Sequence, residues 1–122
     1  PTGAVHPRSL ALLAGEGIAT AGLHSKSWDA LPTKPDVVIT VCGSAAGESC
    51  PAYLGPVLRA HWGVADPASA VGTDAEIDAA FMTAYRVLRN RIKALLALDL
   101  SSLRQHPTQL KTALDQIGTL VS

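Results

Sequence analysis

Aromatic side chains are scarce in this sequence: two Trp, two Tyr and one Phe make up 4% of 122 residues. An interior built on stacked rings is therefore excluded. With 48% of residues hydrophobic, the core has to come from Leu, Ile, Val and Ala. No charge of either sign is in excess, since 10 Lys and Arg balance 10 Asp and Glu, so nothing points to a nucleic-acid or membrane-surface partner. No apolar run approaches the roughly 20 residues that cross a bilayer, and no charged stretch leads into an apolar run with a small-residue cleavage site. Repeats, low-complexity tracts, G-x-G-x-x-G and Walker A sequences are all missing. Cysteine is down to two, Cys42 and Cys50. With no secretion signal to read, that pair fits a reducing compartment, where a disulfide is transient and catalytic; the cytoplasm is the expectation. No second pair of soft ligands stands at useful spacing for zinc, and neither a metal nor a cofactor is expected.

What is present reads as one α/β domain over residues 1–122. Pro7, after His6, opens a helix with Leu10, Leu13 and Ala14 at helical spacing. Gly17 ends it as a left-handed cap, with Ile18 packing after it. Residues 19–35 form an irregular connection with a short helical turn at Ser25–Asp29. Val37–Val41 is a β-branched run, apolar except for Thr40. Continuous apolarity marks a strand covered on both faces, as in parallel sheets. Val57–Trp62 is a weaker second strand. Thr73 and Glu76 make a capping box for a long helix. Its apolar face is Ile77, Phe81, Ala84, Leu88, Ile92 and Leu95, and its polar face Asp78, Arg86, Arg89 and Lys93. A last helix begins at His106-Pro107 and carries Leu110, Leu114 and Ile117, within a C-terminal helical extension over residues 103–122.

Two constellations carry chemistry. Cys42 ends the first strand, where open α/β sheets place their sites, and a loop of Gly, Ala and Ser leads to Cys50. Such a loop can bring two Cα atoms within the roughly 7 Å a disulfide needs. C-x7-C is no standard redox or zinc motif, and two ordinary buried thiols are the plainer reading of the spacing alone. Asp66-Pro67 reads either as a turn aspartate or as a general acid at an anion site. His61 and Trp62 before it read as packing and orienting groups. His6 and His106 precede prolines at helix starts, where capping accounts for them, and His24 lies in a loop. Ser9 and Ser44 have no base beside them.

Taken together, Val5-His6-Pro7-Arg8-Ser9, His24-Ser25-Lys26-Ser27, Val37–Cys42 with Cys50-Pro51, His61-Trp62-Gly63-Val64-Ala65-Asp66-Pro67 and Gly72–Glu76 resemble, in order, one family. It is that of the low-molecular-weight tyrosine-phosphatase-like arsenate reductases, the type usually served by thioredoxin. The resemblance runs through about Leu98. It implies a flavodoxin-like parallel sheet with flanking helices, and a cysteine relay. A nucleophilic cysteine in a C-x5-R loop attacks arsenate while the aspartate matching Asp66 protonates the departing oxygen. The cysteine matching Cys42 then releases arsenite, and the one matching Cys50 resolves the disulfide. Thioredoxin, or glutaredoxin, reduces the final Cys42–Cys50 bond.

The chain departs from the family's pattern at two places. Neither cysteine is followed by arginine at the C-x5-R spacing: Glu48 and Pro56 stand there. The family's first strand, anion loop, first helix and second strand would all precede Pro1, so the sheet is expected to be incomplete in these residues. An upstream segment or a second chain would complete it, and residues 1–122 alone are expected to be inactive. Lys26 stands where some relatives carry an acidic residue that helps hold potassium. Two other readings remain: a low-molecular-weight protein tyrosine phosphatase, which has no need of Cys50, and a non-catalytic truncated relative with a redox-sensing loop.

Overall fold

The computed structural model describes residues 3–41 and 57–121. They divide into two units, Pro1–Lys34 with Asp66–Thr83, and Pro35–Ala65 with Ala84–Ser122.

In the first unit, local chemistry sets the helix ends. Helix α1 spans Pro7–Gly15, with Pro at its start, and the Arg8 N–H donates to His6 Nδ1 at 3.1 Å. Gly17 has φ of 76°. Its N–H donates to the Ala14 carbonyl, and the Ile18 N–H to the Leu13 carbonyl at 2.9 Å, the paired bonds of a Schellman cap. Ile18 does not pack as expected: it is 42% exposed, because α1 itself buries no residue and offers it no apolar seat. The expected helical turn is a 3-10 turn at Trp28–Ala30. Helix α2, Asp74–Leu96, begins with the expected box: the Glu76 N–H donates to Thr73 Oγ1 at 3.1 Å and the Thr73 N–H to Glu76 Oε1 at 3.3 Å. Arg8 spans from α1 to Asp74, at 2.8 Å, and to Asp78. The His6 ring lies 4.8 Å from that of Phe81.

The second unit holds the sheet. Strand β1, Val37–Thr40, runs parallel to β2, Leu58–His61, with Val37 opposite Leu58 and Thr40 opposite His61. Among the described residues the sheet has these two strands. Parallel partners point the same way, so Val37, Ile39, Leu58 and Ala60 share one face. Helix α3, Leu100–Leu103, and helix α4, Pro107–Ile117, follow α2. Ala60 and Trp62 join Leu110, Leu114 and Ile117 of α4 in a buried cluster, bordered by Val37, Ile39, Leu58 and Leu95. Leu114 is wholly buried. A cavity of about 340 Å³ lined by Val37, Ile39, Leu95, Leu100, Leu110 and Leu114 remains on this face. The opposite face carries Val38 and Thr40, both buried, so β1 is covered on both sides, as its apolarity requires.

Two expectations are corrected here. Ile92 belongs to the exposed surface of α2, at 47%, and Arg91 is buried, at 4%. At 100° per residue Ile92 stands about 80° round the helix from Ala84, whereas Arg91 falls within about 20° of it, on the side away from Leu88 and Leu95. His106 sits at the N-cap position of α4 but makes no side-chain cap bond; its φ of −129° and ψ of 73° depart from the −60° and 132° of His6, whose ring does cap before Pro7.

Candidate functional site

Because β1 and β2 are parallel, the segments toward Cys42 and toward Asp66 leave the sheet by the same end. That carboxyl end is where α/β sheets hold ligands. The pairing continues past the strands: the Trp62 N–H donates to the Thr40 carbonyl at 2.7 Å, and the Val64 N–H to the Val41 carbonyl at 3.0 Å. Thr40 Oγ1 and His61 Nδ1 share a hydrogen bond of 2.7 Å. Thr40, the one polar residue in the β1 run, thus has a partner for its buried hydroxyl.

Trp62 turns into the core, 3% exposed, and its Nε1–H donates to the Leu114 carbonyl at 2.9 Å. That is the packing role its sequence position implied. Arg91 Nε donates to the Leu120 carbonyl at 2.8 Å and Nη1 to the Gly63 carbonyl at 3.3 Å. Sequence reading missed Arg91. The signal was its spacing of three from Leu88 and four from Leu95, which a count of hydrophobic residues alone passes over.

Cys42 and Cys50 lie outside the described residues. Asp66 caps a 3-10 turn at Pro67–Ser69, its Oδ1 accepting from the Ala68 N–H at 2.9 Å. Its side chain is exposed, in the manner of a turn aspartate. Lys26 Nζ donates to the His24 carbonyl at 3.2 Å, and His24 Nδ1 meets the Gly22 carbonyl. Among the described residues, no group of three or more His, Cys, Asp or Glu is placed to hold a metal ion.

A family model for low molecular weight phosphotyrosine protein phosphatase matches residues 1–111. The chain belongs to that family. The low molecular weight phosphatase fold is flavodoxin-like, and the parallel β1–β2 pair with its helices is consistent with it. The match ends inside α4, so Leu114 and Ile117 of the buried cluster lie beyond it. Among curated proteins, the chain is similar to an arsenate reductase of Halalkalibacterium halodurans, 39% identical over 90 residues. That alignment covers 73% of the chain and 64% of the relative. Arsenate reductases of Bacillus subtilis and Bacillus licheniformis are 45% and 47% identical over 58 residues, covering 48% of the chain and 41% of each relative. The chain thus spans from about two-fifths to just under two-thirds of the curated relatives it matches. No helix among the described residues is long and apolar enough to cross a membrane.

Proposed function

We propose that the protein reduces arsenate to arsenite through a thiol relay whose last two members are Cys42 and Cys50. The observation that carries this reading is the parallel pair. It sends the segments toward Cys42 and toward Asp66 out of one end of the sheet, in a chain similar to proteins named arsenate reductase. The nucleophilic cysteine comes from outside residues 1–122, from an upstream segment or a second chain. The same segment pairs with β1, which has one strand neighbour among the described residues.

The chemistry balances as a two-electron exchange. The nucleophilic thiolate bonds to arsenic, and an arsenate oxygen leaves as water with a proton from Asp66. The Cys42 thiolate attacks the nucleophile's sulfur, and arsenic departs with the electron pair as arsenite. Cys50 then attacks Cys42, freeing the nucleophile, and a dithiol protein of the thioredoxin or glutaredoxin type reduces the Cys42–Cys50 bond.

The test is arsenite release by the whole protein with thioredoxin, thioredoxin reductase and NADPH. Cys50→Ser should stop multiple turnover after a single arsenite per molecule, and sustained wild-type turnover in that variant would overturn the relay. Asp66→Asn should slow the first chemical step in single-turnover experiments by about 10²–10⁴-fold and leave reduction of the disulfide untouched. The family's phosphatase chemistry supplies the second reading. Steady hydrolysis of an aryl phosphate, with no arsenate-dependent thiol oxidation, would decide for it.

A further inference from the structure

Arg91 is a cation in the interior with no carboxylate partner among the described residues. A buried charge is tolerated where its donors are satisfied, and a guanidinium spreads its donors over a rigid fork, so one side chain can hold two backbone segments at once. One segment is the exit of β2, through the Gly63 carbonyl; the other is the tail after α4, through the Leu120 carbonyl. Next to Gly63, the Val64 N–H donates to the carbonyl of Val41, the residue before Cys42. We infer that Arg91 is a positioning residue that pins the exit of the parallel pair, and so the backbone entering Cys42, to the C-terminal tail. Its bearing on catalysis rests on the relay proposed above; the pinning itself does not.

Amide hydrogen exchange of the reduced whole protein tests the link. In Arg91→Met, exchange at Val64 should rise about tenfold, the effect of losing a charge-assisted hydrogen bond, while amides in the middle of α4 keep their rates. A chain ending at Gly118, which lacks the Leu120 carbonyl, should show the same local rise, and the double variant no more than either alone. Arg91→Lys keeps the charge without the fork; it should loosen Val64 too, and it carries the test if the methionine variant does not fold. Alkylation of Cys42 by iodoacetamide in the native protein should accelerate alongside. An unchanged Val64 amide, additive effects in the double variant, or unchanged Cys42 alkylation with Val64 loosened would each overturn the inference. None of these readouts needs arsenate. A protein that releases no arsenite yet loosens at Val64 retires the relay and keeps the positioning role; the converse result does the opposite.

Discussion

Gly118 is required for its lack of a side chain. Its φ of −62° suits any residue, but a Cβ there would lie 2.8 Å from Trp62 Cδ1 and 3.3 Å from the Asp115 carbonyl. Gly118→Ala should therefore cost about 1–3 kcal/mol as the indole is pushed off its seat, read from urea unfolding. Full stability in that variant would mean that Trp62 has room to withdraw. Arg8 has the opposite character: it is solvated, and its pKa is raised above the ordinary arginine value by hydrogen bonds to Asp74 and then Asp78. A raised pKa contributes stability that is whole below the unfolded value and is lost as pH rises through the folded one. For arginine that window is strongly alkaline. The difference in Tm between wild type and Arg8→Gln should hold steady from about pH 6 to about pH 9 and shrink in about 1 M salt.

Among the elements, helix ends were the most legible, because caps are local. Pro7 and Gly17 bound α1, and the Thr73–Glu76 box starts α2. Thr73→Ala should lower stability by about 1 kcal/mol in chemical denaturation. The faces of α2 were less legible. Ile92, expected on the apolar face, is exposed, and Arg91, to which the sequence assigned no place, is buried, because a guanidinium with two carbonyls to hold can enter where hydropathy forbids it. Helix α4 read clearly as amphipathic, but nothing in its own sequence said that it would cover β2. That depends on Ala60 and Trp62, far away in the chain. Leu114→Ala, deleting the wholly buried side chain of that contact, should cost about 2–5 kcal/mol, in urea or by a lowered Tm. The Asp66 turn was legible as geometry; its chemistry was not, since a capping carboxylate and a resting acid look alike in sequence.

For the whole molecule, the family could be read from motifs scattered along the chain, and the match over residues 1–111 agrees. Mass-spectrometric thiol counting is the direct check on its proposed redox pair. Mild oxidant should convert Cys42 and Cys50 from two alkylatable thiols to none, and dithiol reductant should restore both. The ends of the connection between the strands are already fixed. Strands joined by a tight hairpin inherit their alignment from the turn; parallel strands joined by a long crossover have no such guide. Here the Thr40 hydroxyl and the His61 ring work as a key in a lock: slide β2 by one residue and His61 changes face, slide it by two and it meets Val38 instead of an oxygen. That register fixes where the chain leaves β1 at Thr40 and where it enters β2 at Leu58.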